Sequence, residues 1–222
     1  MINIIDNLLS TNDLLKINEL VKKAVEYDGS TSAGSIARRV KNNLELTIPE
    51  YELNQLNKLV IGRIICNSLY QQVCLPLRIA APFYARYKTG MSYGSHTDNP
   101  IMGQGALYRS DLSISIFLNE KHEYNGGELV MELENGEQRF KLDAGAAIIY
   151  PSTTRHRVSK VTHGQRNVAV TWVQSIIRSD AHRKILSDLA RSRELLNTEQ
   201  CAESLSLIDH SYANLVRLWS DL

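Results

Sequence analysis

The sequence predicts a mainly β protein, with a central β-sandwich or barrel flanked by helices on both sides. Three observations carry that expectation. The hydrophobic period is helical up to Leu69, two-residue from Arg78 to Ile177, and helical again after Ser179. Inside the middle stretch, Asn125-Gly126-Gly127 and Asn135-Gly136 supply turn chemistry between short strands. The flanking stripes need an apolar surface to lie on, and the β core provides one. The chain is accordingly divided into an N-terminal helical region over 1–77, a core over 78–178 and a C-terminal helical extension over 179–222.

Each element follows from its residues. A helix is expected from Ser10 to Asp28, where Leu14, Ile17, Val21, Ala24 and Val25 form one stripe. Ser10 caps it with Asp13 three residues on, and Gly29 ends it. Residues 29–35 are small and polar, a loop. Leu53, Leu56, Val60, Ile64 and Leu69 make a second helical stripe, with Pro76 beyond its end. Strands are expected over Arg78-Ile79-Ala80 and Tyr84-Ala85-Arg86-Tyr87. The run Asp111 to Leu118 alternates, placing Leu112, Ile114, Ile116 and Leu118 on one face. Glu128 to Leu133, Arg139 to Leu142, Ala146 to Tyr150 and Asn167 to Ile177 complete the core. Ala181, Ile185, Leu186 and Leu189 then form one helical stripe, and Leu205, Ile208, Tyr212, Leu215, Val216 and Trp219 another.

Composition narrows the function. In 222 residues there are 25 Lys+Arg and 24 Asp+Glu, a formal net charge of +1, which argues against a protein that coats a polyanion. Hydrophobic residues at 43% can offset chain entropy, so the chain is not disordered in the main. Cys66, Cys74 and Cys201 are odd in number and form no CxxC pair, which argues against a disulfide framework or a zinc-thiolate site and suits a reducing cytoplasm. No stretch has the length and apolarity of a membrane span, and Met1 to Asp6 lacks the basic and apolar regions of a secretory signal.

The chemistry concentrates at His96-Thr97-Asp98. On a strand, the two-residue period puts His96 and Asp98 on the same face. His156 follows the apolar run that ends at Tyr150-Pro151, and strands distant in sequence become neighbours in a barrel. Two imidazoles and one carboxylate on one side of a metal form the facial triad favoured by non-haem Fe(II) oxygenases. Arg166 lies ten residues after His156, and Thr162-His163-Gly164-Gln165 between them reads as a tight turn that folds it back. Arg166 is either a solvated strand-end residue or an inward guanidinium, which would need an anionic partner such as a carboxylate cosubstrate.

These residues, with their surroundings, resemble the PKHD-type hydroxylases, bacterial Fe(II)- and 2-oxoglutarate-dependent dioxygenases similar to prolyl hydroxylases. The matching blocks run from Arg86-Tyr87, Gly90, Tyr93 and Gly94 to His96-Thr97-Asp98, then Arg109-Ser110-Asp111-Leu112-Ser113 and Tyr124-Asn125-Gly126-Gly127-Glu128-Leu129. They continue through Tyr150-Pro151-Ser152, His156-Arg157-Val158, Val161 to Arg166 and Trp172 to Arg178. Val40-Lys41-Asn42-Asn43 and the C-terminal helices match as well, so the likeness spans nearly the whole chain. The resemblance implies a double-stranded β-helix, or jelly roll, with the site in its mouth. It implies His96, Asp98 and His156 as Fe(II) ligands, and Arg166 on the distal carboxylate of 2-oxoglutarate. Tyr87 is implied as a hydrogen-bond partner of that carboxylate, against a reading as a core-filling aromatic. The implied reaction hydroxylates an unidentified substrate with dioxygen, while 2-oxoglutarate is decarboxylated to succinate and CO2, and L-ascorbate rescues over-oxidised iron.

Other signals carry less. His122, His163, His182 and His210 read as surface or local hydrogen-bonding residues. Asn99 and Arg109 flank a Gly-rich mouth loop over 99–110 and could touch substrate, and Trp172 either lines the pocket or packs the core. Between Ile177 and Arg193 the basic residues interleave with Asp180 and Asp188, which favours a solvated helix face over a nucleic-acid stripe. No nucleic-acid or membrane partner is expected. Two competing readings use the same triad: a cupin-like metal-binding or sensing module without turnover, which needs no anion clamp, and a zinc hydrolase, which lacks a general base beside the ligands.

Overall fold

The computed structural model describes residues 1–222 except 33, 35, 36, 104 and 197–200, and except the side chains of 32 and 37. In chain order the elements are β1 (Asn3–Ile5), α1 (Thr11–Lys23), β2 (Val25–Asp28), β3 (Lys41–Asn42), β4 (Leu44–Thr47), α2 (Glu50–Ile65), α3 (Ser68–Cys74), β5 (Pro76–Ile79), β6 (Phe83–Lys88) and β7 (Ser92–His96). There follow β8 (Ile101–Met102), β9 (Tyr108–Arg109), β10 (Leu112–Phe117), β11 (Tyr124–Gly126), β12 (Leu129–Leu133), β13 (Gly136–Phe140), β14 (Ala147–Pro151), β15 (Arg155–Val158) and β16 (Val161–Ser175). Helices α4 (Asp180–Leu195) and α5 (Ala202–Trp219) close the chain.

The strands form a mainly antiparallel β core with a jelly-roll architecture. The large sheet runs β1-β14-β10-β16-β6-β4-β2, with β11 and β5 also on β16, and the small sheet runs β13-β12-β15-β7-β3. The two faces of the large sheet have different partners. Leu112, Ile114 and Ile116 of β10 and Ala169 and Val173 of β16 pack on Ile17 and Val21 of α1, on Val60 and Ile64 of α2, and on Tyr70 of α3. Their alternates, among them Ser115, Val168 and Val170, line a cavity on the other face. The N-terminal helices therefore cover one face of the sheet, and the opposite face is left for the site.

Several sequence-based expectations need correction. Helix α1 ends at Lys23, because Val25–Asp28 pairs as β2 with β4, and strand pairing overrides the helical stripe. Its start is as expected: Ser10 and Asp13 form a reciprocal capping box. The loop expected over 29–35 is a 3-10 turn at Gly29–Ser32, and its remainder falls largely on residues outside those described. The second stripe is broken at Cys66-Asn67, where the Asn67 side chain caps α3 by accepting from the Tyr70 N–H at 3.0 Å. Thr162-His163-Gly164-Gln165 is not a turn but part of β16, and the chain instead changes sheets at Ser159-Lys160. On α4 the buried residues are Arg183, Leu186 and Ser187, and Ile185 is exposed. The stripe on α5 is only half-buried. Among the described residues no helix is long and apolar enough to cross a membrane.

Candidate metal centre

Strand pairing builds the site. His156 on β15 stands opposite His96, the last residue of β7, and Asp98 follows two residues after the strand ends. Ligand atoms of His96, Asp98 and His156 all lie within 4.8 Å of one another. Asp98 Oδ1 is 3.9 Å from His96 Nε2 and 4.0 Å from His156 Nε2. The three side chains are almost wholly buried.

Hydrogen bonds decide which atoms face the centre. His96 Nδ1 lies 2.9 Å from the Gly94 carbonyl, and His156 Nδ1 lies 2.9 Å from the Thr154 carbonyl. A carbonyl only accepts, so both rings carry their proton on Nδ1 and present the Nε2 lone pair inward. Asp98 Oδ2 accepts from Ser113 Oγ at 2.5 Å and from Trp172 Nε1 at 3.0 Å, which leaves Oδ1 toward the imidazoles. Burial, then the neighbouring His156 ring, pushes His96 down to about 4. The imidazole is therefore neutral near pH 7, the form a metal needs. Tyr93 stacks on His96 with ring centroids 3.7 Å apart. The Tyr150 hydroxyl lies 3.3 Å from His156 Nε2, on the lone pair that a metal would take.

A cavity of about 130 Å³ opens from the triad into the space between the sheets, and Tyr87, Trp172 and Arg166 line it. Arg166, Val168, Val170 and Trp172 are the inward alternates of β16 and all reach it, which is how Arg166 arrives without a turn before it. The Arg166 residue is 2% exposed, and its Nε and Nη1 have no hydrogen-bond partner. Its guanidinium lies 5.2 Å from the Tyr87 ring centroid and 5.4 Å from that of Phe117. Burial raises the Tyr87 phenol to about 12, so its proton stays on.

Asn99 lines the cavity as anticipated, but Arg109 does not. The Arg109 guanidinium is spent on Asp111 at 2.7 and 3.0 Å, on Asp221 at 3.2 Å and on the Ser175 carbonyl at 3.1 Å. His163 is exposed on β16. Sequence reasoning missed Ser113 and Ser115. Their signal was available, as polar residues alternating with a buried apolar face, but it reads as solvent exposure unless both faces are known to be covered.

Residues 82–174 match the model of the 2OG-Fe(II) oxygenase superfamily. A PKHD-type hydroxylase of Thermosynechococcus vestitus is 41% identical over 98% of both chains, and one of Thioalkalivibrio sulfidiphilus is 42% identical over 100% of both. Among solved structures, a Pseudomonas putida prolyl-4-hydroxylase superposes with a TM-score of 0.56 at 16% identity, covering 78% of this chain and 92% of that one. A Trichoplax adhaerens prolyl hydroxylase gives 0.55 at 18% identity, covering 84% and 86%. At those identities the structural likeness carries the fold alone. The full-length sequence relatives carry more: this chain is an enzyme of the PKHD-type hydroxylase family, within the 2OG-Fe(II) oxygenases.

Proposed function

We propose that the chain hydroxylates a C–H bond of an as yet unidentified substrate, with Fe(II) held by His96 Nε2, Asp98 Oδ1 and His156 Nε2 and with 2-oxoglutarate as cosubstrate. Bound Fe(II) would supply the redox chemistry that couples decarboxylation of 2-oxoglutarate to succinate and CO2 with hydroxylation by dioxygen. Two imidazoles and a carboxylate suit that ion and leave half of an octahedral sphere to other ligands. The observation that carries the reading is Arg166. A buried guanidinium with two unpartnered nitrogens is costly on its own, and a carboxylate in the same cavity would offset that cost through a bidentate pair. The Tyr87 phenol, packed on that guanidinium, keeps its proton and donates to the same carboxylate. L-Ascorbate serves as the reductant that recovers over-oxidised iron.

All five of these residues fall within 78–178, which we take as the catalytic core, with 1–77 and 179–222 supporting it. The thiols of Cys66, Cys74 and Cys201 are free, which suits a cytoplasmic setting. Proline is not carried over as the substrate, because the prolyl hydroxylases share only the fold.

The test is an anaerobic titration of the apoprotein with Fe(II) and 2-oxoglutarate. A visible charge-transfer band and slow uncoupled succinate formation in air are expected. A protein that binds metal but gives neither band nor succinate is instead a metal-holding module, and Arg166→Ala then changes nothing.

A further inference from the structure

We propose that Ser113 and Trp172 are positioning residues that restrict Asp98 to one ligating oxygen and so keep coordination positions open for the cosubstrate and dioxygen. The inference rests on the iron-site reading above. A carboxylate can grip a metal through one oxygen or through both. An octahedral ion held by three protein atoms keeps three positions, and a second Asp98 oxygen would take one of them.

The protein has disabled that second oxygen. Asp98 Oδ2 accepts from Ser113 Oγ at 2.5 Å and from Trp172 Nε1 at 3.0 Å. A carboxylate oxygen offers two lone-pair sites, so both of those on Oδ2 are occupied. The two donors are not independent surface groups. Ser113 on β10 and Trp172 on β16 are directly paired across the large sheet, so they present their polar atoms side by side on its inner face. The indole is fixed from behind by stacking on Phe83, with ring centroids 5.5 Å apart and planes 17° apart. Ser113 is fixed by Ser152, whose Oγ lies 2.8 Å away. Ser113 has one hydroxyl proton and the carboxylate can only accept, so that proton goes to Asp98 and Ser152 donates to Ser113. A donor chain Ser152 to Ser113 to Asp98 therefore ends on the oxygen that must stay off the metal. Tyr150, on the other side of Ser113 in the same row of paired residues, places its hydroxyl at His156.

The experiment uses the full chain loaded with Mn(II), as wild type and as Trp172→Phe and Ser113→Ala. Mn(II) affinity is measured by calorimetry, metal-bound water by water-proton relaxivity, and 2-oxoglutarate affinity by titrating the Mn(II)-saturated protein. In each variant the freed oxygen should displace a bound water, lowering relaxivity by about one third if three waters become two. The 2-oxoglutarate Kd should rise about tenfold, with Mn(II) affinity held within about threefold because the second ligating oxygen offsets the roughly tenfold loss that removing an outer-shell donor otherwise brings. Wild-type relaxivity and wild-type 2-oxoglutarate affinity in both variants would overturn the proposal. So would weaker Mn(II) binding at unchanged relaxivity, the pattern of a residue that merely supports the carboxylate. Failure of the wild type to bind Mn(II) would overturn the site reading and this inference together.

Discussion

His96 and His156 face one another across the β7–β15 pair, with ring centroids 4.3 Å apart and planes tilted by 51°. Antiparallel register thus brings two distant segments to one point. A carbonyl two residues earlier in each segment then turns both Nε2 atoms inward. His156→Ala and Asp98→Ala should each weaken Fe(II) or Mn(II) binding more than about tenfold in calorimetry. Wild-type affinity in both would place the metal elsewhere.

Arg166 sets stability against function. Its Nε and Nη1 are buried without partners, and an unsatisfied buried donor costs about 1–3 kcal/mol. Arg166→Met keeps much of the side-chain volume and removes the buried charge. The variant should melt higher than the wild type as apoprotein, by an increment of about 1 kcal/mol or more. It should also lose the stabilisation that 2-oxoglutarate gives the metal-loaded wild type, about 2.7 kcal/mol at a hundredfold excess over Kd. Thermal melts with and without 2-oxoglutarate read both effects. A destabilised apoprotein that still responds to 2-oxoglutarate would contradict this role.

The pattern of the site was legible where side-chain period alone decides it, and hidden where long-range pairing does. His96, Asp98 and His156 stand out by residue type, and Leu112, Ile114 and Ile116 mark a buried face by alternation. Gly164 misled because glycine in a polar run reads as a turn. In the fold it stays inside β16, with φ +73°, because the backbone of Glu123 and Tyr124 passes too close for any Cβ. Ser113 was hidden for the opposite reason. A serine alternating with aliphatic residues reads as solvent-facing, yet it is wholly buried because a second sheet closes over it.

Acid should weaken the apoprotein through His96. An unfolded imidazole takes up its proton near about 6.5. In the fold, burial and the His156 ring delay that uptake to about 4. Between those values the unfolded chain binds more protons, so stability falls as pH drops through that window. His96→Gln should flatten this part of the profile. Chemical denaturation midpoints measured across the window check it, and identical slopes for wild type and variant would count against the shift.

Asp13 acts at still lower pH. Burial raises its carboxyl, but hydrogen bonds from Arg63 and from the Ser10 hydroxyl and N–H outweigh that and hold it down to about 2. Its contribution is therefore complete above the ordinary value of 3.8 and is lost as pH falls through about 2. Arg63 is 54% exposed, so solvent screens the ion pair and much of the effect belongs to the helix cap. Asp13→Asn should cost about 1 kcal/mol at neutral pH and less near pH 2, judged from denaturation midpoints at both.

Gly127 links a backbone requirement to the proposed cosubstrate clamp. Gly126 and Gly127 have φ of +69° and +67°, where the chain leaves β11 on the large sheet for β12 on the small one. A Cβ on Gly127 would lie 3.2 Å from Arg166 Cδ, 3.1 Å from Tyr124 Cε2 and 3.0 Å from Val161 Cγ2. The Val161 side chain is short and the Tyr124 ring is stiff, whereas the long Arg166 stem is the flexible neighbour and yields first. Gly127→Ala should therefore displace the guanidinium and raise the 2-oxoglutarate Kd, while leaving Mn(II) affinity alone because the triad lies on other strands. A left-handed alanine also costs about 1 kcal/mol or more of stability, so the melt should drop as well. A variant that loses stability but keeps wild-type 2-oxoglutarate affinity would show that the strain is absorbed in the sheet crossing and never reaches Arg166.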